Sequence, residues 1–245
     1  MVISRIRCSL LLLCLWVGMG NAQNTGEEEL GIWYMYFGMN RVSERFSVHT
    51  EAQFRYFETS RNFNQLLLRT GLNYHINPDA IATFGYAYID TDPTFEDDQF
   101  TDVTLSINDI REHRIFQQFI LKNKVWEFLF EHRYRLEQRF LNNKSLEPFT
   151  DDATTTEHRA RYRLQVMLPL TATIFLNFYD ELFINLQNNI FDQNRLYFAG
   201  GIHLTEDSNV QIGFLKNHFN SRVFDRLQIG FFYNPDLRGV FKKNK

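Results

Sequence analysis

The chain has 245 residues, with 26 Lys+Arg against 29 Asp+Glu and a formal net charge of −3. That balance lacks the basic excess that nucleic acid would attract, so no nucleic-acid partner is expected. The two cysteines, Cys8 and Cys14, both lie near the start, which leaves the rest without a disulfide framework or a cysteine metal site.

The opening MVISRIRCSLLLLCLWVGMGNAQ reads as a secretory leader. Arg5 and Arg7 precede an apolar run from Leu10 to Val17, and Gly20 and Ala22 supply the small residues of a cleavage site. The run is too short to cross a bilayer as a helix, which takes ~20 residues. Cleavage is expected after Ala22, so residues 1–22 form a signal peptide and residues 23–245 a single domain of ordinary size. Both thiols leave with the leader. Loss of Arg5 and Arg7 takes Lys+Arg from 26 to 24 against 29 Asp+Glu, a mature charge of −5.

Beyond the leader, apolar and polar residues alternate with period two nearly everywhere. The pattern predicts strands at about 30–38, 46–57, 63–76, 80–90, 111–121, 124–140, 157–168, 172–183, 194–204, 209–218 and 222–233. Many exceed the ~5 or 6 residues usual in globular proteins and reach the ~9 to 11 needed to cross a membrane at a tilt. Tight turns at Asn77-Pro78-Asp79, Lys122-Asn123, 169–171 and 205–208 alternate with long polar connections at 91–110, 141–156 and 184–193, as they do when a barrel has one periplasmic and one external rim. Eleven strands is odd, whereas single-chain bacterial barrels are usually even. A further strand is therefore sought around Asp236 to Phe241, unless segment 30–38 is not an ordinary wall strand.

The stretch EHRYRLEQRF (131–140) shows the two faces. Glu131, Arg133, Arg135, Glu137 and Arg139 take the odd positions, while Tyr134, Leu136 and Phe140 share the even ones. The next strand repeats the pattern, with Glu157, Arg159, Arg161, Arg163 and Gln165 against Tyr162, Leu164, Val166 and Leu168. A turn at Lys122-Asn123 would set Glu112 opposite Arg133, Arg114 opposite Glu131, Ile115 opposite Phe130 and Phe119 opposite Trp126. A turn at 169–171 would likewise pair Arg159 with Glu181 and Arg163 with Asn177.

Alternation alone leaves open which face is inside, because a soluble β protein would show its charges to water. Residue choice separates the two. The chain carries 19 Arg but 7 Lys, and six of the lysines (Lys122, Lys124, Lys144, Lys242, Lys243, Lys245) lie at turns, loops or the tail. An enclosed charge layer favours arginine, whose planar fork binds carboxylates bidentately. The reading is an all-β, antiparallel up-and-down transmembrane β-barrel of 10–12 strands, twelve favoured, with a charged lumen; a soluble periplasmic or secreted β protein is the alternative.

The ordered set EHRIFQQFIL (112–121), HRYRLEQRF (132–140), HRARYRLQVMLPL (158–170), YDELFIN (179–185) and FDQNRLYFAGG (191–201) resembles the domain-of-unknown-function 2490 family of the outer-membrane β-barrel superfamily of Gram-negative bacteria. The resemblance covers essentially the mature chain. It implies a barrel in the outer membrane, contact with outer-membrane lipid, and assembly by the general barrel insertion machinery. It carries no substrate, activity or catalytic residue.

The expected lumen network comprises Glu112, Arg114, Glu127, Glu131, Arg133, Arg135, Glu137, Arg139, Arg159, Arg161, Arg163, Glu181 and Arg195, with Glu51, Arg55, Arg69, Glu157 and Arg226 on the same face. A 10–12-stranded barrel is narrower than a porin, and long side chains of both signs would bridge it. Such a network either fills the lumen as a structural plug or leaves a narrow passage or binding site for a small polar or anionic solute, favoured by an excess of 11 Arg over 7 Glu in this inward set. The plugged form would be a structural or surface-interaction barrel.

Catalysis is not expected. Ser47, His49 and Glu51 share a face, but residues two apart on a strand lie ~6.6 Å apart, beyond hydrogen-bond reach unless their side chains converge. A lipid hydrolase would also need them at the outer wall. His113 and His132 are expected to face each other on the lipid side, with His158 of the same parity on the next strand. Without a carboxylate or thiol beside them they read as a polar spot near the rim, so no metal or cofactor is expected.

Overall fold

A computed structural model describes residues 29–95, 109–143, 153–187 and 189–240. The leader, with its cleavage site at Ala22, and the lysines at 144, 242, 243 and 245 lie outside the described residues. So do parts of the connections 91–110, 141–156 and 184–193.

Among the described residues there are eleven strands: β1 (Gly31–Arg41), β2 (Phe46–Tyr56), β3 (Phe63–Asn77), β4 (Ala80–Thr91), β5 (Ile110–Val125), β6 (Phe128–Asn143), β7 (Ala153–Pro169), β8 (Ile174–Asn185), β9 (Phe191–His203), β10 (Ser208–Phe219) and β11 (Val223–Tyr233). They run from 11 to 17 residues and close into one barrel, each strand antiparallel to its chain neighbours. With an odd number, up-and-down order leaves the first and last strands pointing the same way. The barrel therefore closes on a parallel seam, from Gly31 opposite Arg226 to Gly38 opposite Tyr233.

A twelfth strand is not found among the described residues, and segment 30–38 is a wall strand that pairs antiparallel with β2 and parallel with β11, so the barrel is not antiparallel throughout. The tail, where the extra strand was sought, makes a single parallel bridge, Asp236 to Arg41. It is held by Arg41 N–H to Pro235 O at 2.9 Å and Leu237 N–H to Arg41 O at 2.8 Å. Phe241 lies outside the described residues.

Two expected registers are corrected. The β5–β6 hairpin turns at Trp126-Glu127, with Val125 opposite Phe128. Lys122, Asn123 and Lys124 belong to β5. There the wall is exposed on both faces from Leu121 to Glu127, so the polar residues that read as a turn mark a strand end projecting into solvent. Glu112 consequently faces Leu141 rather than Arg133, Arg114 faces Arg139 rather than Glu131, Ile115 faces Gln138, and Phe119 faces Tyr134. The β7–β8 turn spans 170–173, so Arg159 faces Asn185 and Arg163 faces Glu181. Both corrections move each partner by an even number of residues. Every side chain keeps its face and changes its neighbour.

The wall is inverted relative to a globular protein. Phe84, Leu72, Phe198 and Ile212 are 63, 51, 53 and 56 % exposed, whereas Glu137, Glu181, Arg135 and Gln228 are 1, 2, 4 and 3 % exposed. Large apolar side chains cover one face of nearly every strand, and charged and amide side chains are buried on the other. The buried face also carries rings of the same parity as the charges, among them Trp33, Phe116, Phe183 and Tyr197.

Candidate functional site

The densest chemistry on the buried face spans β5 to β9. Alternation brings Glu112 and Arg114 from β5, Arg133, Arg135, Glu137 and Arg139 from β6, and Glu157, Arg159, Arg161 and Arg163 from β7 onto one side, with Glu181 from β8. Register then sets three arginine pairs directly opposite each other: Arg114 and Arg139, Arg133 and Arg163, Arg135 and Arg161. Like charges in such positions destabilise a sheet. Carboxylates reaching in from the diagonal positions offset the repulsion.

Glu137 is the hub. Its Oε2 accepts from Arg159 Nε and Nη2 at 2.9 and 2.7 Å, and its Oε1 accepts from Arg161 Nη1 at 2.7 Å and Arg114 Nη1 at 3.5 Å. Arg135 Nη1 stands 3.6 Å from the same Oε1. Arg161 bridges onward, donating Nε and Nη2 to Glu181 Oε1 at 3.0 and 2.7 Å, where Arg133 Nη2 also arrives at 2.6 Å. Glu112 takes a bidentate fork from Arg139, both contacts at 2.9 Å, plus Arg114 Nε at 2.6 Å. Arg139 continues to Glu157 and Arg159 to Asp192, at 2.6 and 3.0 Å. Glu131 and Arg163 pair at 2.6 Å nearer the turn end. Beside that pair, a cavity of about 260 Å³ opens between β5, β6 and β7, lined by Lys122, Leu129, Glu131, Gln165 and Met167 among others.

Glu127 is the exception within the expected network. It sits in the β5–β6 turn, exposed, with its carboxylate 3.9 Å from Lys124 Nζ.

Stacking of guanidinium groups on rings was not legible as contacts in the sequence. Arg69 and Arg135 lie over Phe116 at 5.5 and 5.0 Å from the ring centre. Arg159, Arg161 and Arg195 surround Phe183 at 5.1, 4.1 and 4.7 Å, and Arg55 and Arg195 lie over Trp33 at 3.8 and 5.3 Å. The available signal was parity, since Phe116 shares the parity of Glu112, and Phe183 that of Glu181.

A second polar cluster occupies β2 to β4. Glu51 accepts from Arg69 Nη1 at 2.5 Å and Gln53 Nε2 at 2.5 Å, and its Oε2 is 3.1 Å from His49 Nε2. His49 and Glu51 thus converge despite their spacing along the strand. Ser47 turns elsewhere: its Oγ is 2.8 Å from His75 Nε2 and accepts from Asn73 Nδ2 at 3.0 Å, and Asn73 in turn accepts from Thr83 at 2.8 Å. His75 was not singled out from the sequence. Its pairing with Ser47 crosses from β2 to β3 and needs the register to be seen.

The expected histidine pair is corrected as well. His113 lies opposite Phe140 and His132 opposite Leu121. Each meets a tyrosine instead, Tyr86 Oη at 2.5 Å and Tyr162 Oη at 2.9 Å.

Among proteins of solved structure, a porin refined at 1.8 Å is similar at 17 % identity and a TM-score of 0.36, over 82 % of this chain and 60 % of the porin. The chain thus spans about 60 % of that porin's length, and the barrel described above rests on its own strand pairing rather than on this likeness. No curated protein matches. The family model described as "Protein of unknown function (DUF2490)" matches residues 30–228, most of the chain including the whole Arg/Glu network, and the chain belongs to that family.

Proposed function

We propose that this chain is an outer-membrane β-barrel of a Gram-negative bacterium, exported behind a leader cleaved after Ala22, with its charged face lining a narrow lumen. The inverted wall carries the reading. Rings and aliphatic side chains such as Phe84, Phe198 and Ile212 are exposed around the barrel while Glu137 and Glu181 are buried. In water this arrangement costs twice, through apolar surface left wet and through desolvated charge. In a bilayer the outward apolar band meets lipid and the closed sheet satisfies the backbone.

The lumen acts as a constricted passage or binding site for small polar or anionic solutes rather than as a wide pore. Arginine side chains outnumber carboxylates on the buried face, and Arg55 and Arg195 make no hydrogen bond or ion pair with a carboxylate among the described residues. A second reading, a plugged structural or surface-interaction barrel, is favoured by the arginines gathered on Glu137.

The reading is of a protein without enzymatic activity. Ser47 is fully buried on the charged face, and His75 Nδ1 has Arg41 Nη1 at 3.5 Å rather than a carboxylate. An arginine donor at Nδ1 favours the tautomer with the ring proton on Nε2, facing Ser47 Oγ at 2.8 Å. Such a histidine does not act as the base for that hydroxyl.

Single-channel recording of the refolded protein in planar bilayers separates the two lumen readings. Stable openings with anion preference are expected, and silence at all voltages and pH values would leave the plugged barrel standing. Fractionation tests the membrane claim on its own. A mature protein that stays soluble and monodisperse without detergent would sink it.

A further inference from the structure

The network from β5 to β8 gives each of its carboxylates at least one guanidinium and reaches Asp192 of β9 through Arg159. Outside it, the buried face holds two arginines that make no ion pair: Arg195 lies opposite Glu181 in the β8–β9 register, but that carboxylate is taken by Arg133 and Arg161, and Arg55 meets amides. Arg55 on β2 and Arg195 on β9 lie over the same ring, Trp33 of β1, from strands separated by β1, β11 and β10. Arg55 ends on neutral amide oxygens, Nε and Nη2 on Gln53 Oε1 at 3.0 and 2.6 Å and Nη1 on Gln65 Oε1 at 2.6 Å. Arg195 is less satisfied still. Its Nη2 has Gln193 Oε1 at 3.4 Å, and its buried Nε has no acceptor.

An aromatic face attracts a cation through its quadrupole and offsets part of the desolvation cost. It neutralises nothing and takes none of the N–H donors, which point outward in the guanidinium plane. Two like charges gathered on one indole, neither in an ion pair and one with an unmet donor, make a site that an added anion would stabilise. Both side chains are part-exposed although the Arg195 Nε is covered, so a small solute meets Arg195 at the tip of its guanidinium.

We propose that Arg195, Arg55 and Trp33 form a binding site for a small oxyanion of the phosphate or carboxylate type. Arg195 supplies the hydrogen-bonding fork through its two Nη groups, a geometry matched to two oxygens of one anion. Arg55, already held by Gln53 and Gln65, supplies field and fixes the ring. The Phe183 ring centre also lies 4.7 Å from the Arg195 guanidinium. The site rests on the lumen reading above and gives it a solute class.

Trp33 reports on the site directly. The chain has three tryptophans, Trp16, Trp33 and Trp126, so Trp16→Phe with Trp126→Phe leaves Trp33 alone. This parent protein, folded in detergent micelles, is titrated with sodium phosphate and, separately, sodium acetate at constant ionic strength, with chloride as the balancing anion. A saturable change in Trp33 emission is expected with at least one oxyanion and none with chloride. Arg195→Gln raises the half-saturating concentration roughly tenfold or more, the loss of one charge-assisted fork. Lys216→Gln, which removes an exposed positive charge paired with Asp225, leaves it unchanged.

A response limited to phosphate, or to acetate, identifies the oxyanion taken. A linear response, an equal response to chloride, an unaltered Arg195→Gln, or equal weakening by Lys216→Gln overturns the site. Where Arg195→Gln does not fold, Arg195→Lys keeps the charge and removes the fork; weaker binding is expected, and parental binding overturns the proposal. The titration needs no bilayer. Saturable binding by a barrel that does not conduct would sink the passage and keep the site, and conduction without saturable binding would do the reverse.

Discussion

Glu137 lies opposite Arg159 in the β6–β7 register and takes both arms of its fork on one oxygen, at 2.9 and 2.7 Å. The same carboxylate faces Arg161, Arg114 and Arg135. Removing one partner of a buried ion pair leaves the other charge uncompensated, at a cost of about 3–5 kcal/mol. Glu137→Gln keeps the shape and removes the charge, so it is expected to lower unfolding stability in urea by about that amount. Glu127→Gln, in the exposed turn, is expected to stay within about 0.5 kcal/mol of the parent. Parental unfolding of Glu137→Gln would show that the arginines do not depend on this hub.

The hairpin register is open to a chemical test, because both cysteines lie in the leader and residues 23–245 carry none. Asn123 faces Phe130 across β5–β6, and directly opposed residues have Cβ atoms within ~4.5–5.5 Å. The double variant Asn123→Cys, Phe130→Cys is expected to form a disulfide on mild oxidation, visible as a mobility change reversed by reductant. Ile115→Cys with Phe130→Cys, which a turn at Lys122-Asn123 would bring together, is expected to stay reduced. The opposite pattern would restore the turn at Lys122-Asn123.

All eleven strands and the division of their faces are written in the sequence, because period two depends only on whether a residue is odd or even. Which residues touch is a different matter. The turn at Trp126-Glu127 gives no composition signal: Trp126 holds a left-handed backbone with φ 54°, which a bulky aromatic seldom adopts, while Lys122-Asn123 looked like the turn. Hence Glu112 and Arg114 were placed on the correct face and matched with the wrong arginine and glutamate. The Ser47–His75 contact and the rings under the guanidinium groups failed to appear for the same reason. They depend on register and on side-chain reach across the barrel, and neither has a period.

Beyond β11 the tail is clasped electrostatically to the β1–β2 turn. Arg238 donates to Asp236 from its backbone N–H, Nε and Nη2 and reaches Glu44 with Nη1 at 2.6 Å. Hydrogen bonds from Arg238 hold the Asp236 carboxyl down at about 2. A depressed carboxyl contributes stability above its unfolded value, near 3.9, and loses it as pH falls through the folded one. The clasp is therefore intact at neutral pH and opens between about pH 4 and 2. Carboxyl carbon NMR of Asp236 is expected to titrate near 2 and to move up towards the ordinary Asp range in Arg238→Gln. An unchanged midpoint in that variant would mean another group holds the proton off.

Gly85 of β4 sits directly opposite Phe116 of β5, and the Phe116 ring lies where a Cβ on residue 85 would be. Gly201 and Phe175 repeat the arrangement on β9 and β8. The ring fills the space that a glycine leaves in the wall, and at Phe116 it also carries Arg69 and Arg135. Gly85→Val displaces the ring from beneath both guanidinium groups, so its cost exceeds a simple overpacking penalty of ~1–3 kcal/mol. Phe116→Ala costs about 3–5 kcal/mol by truncation of a buried ring. The two losses share part of their cause, because without the ring the valine keeps only its clash with the Thr70 backbone oxygen, 2.5 Å from the Cβ position. The double variant is therefore expected to be less destabilised than the sum of the singles, by about 0.5–3 kcal/mol, as read from urea midpoints in micelles. Strict additivity would mean that the ring and the glycine do not share this seat, and that the charge layer above Phe116 is held by its carboxylates alone.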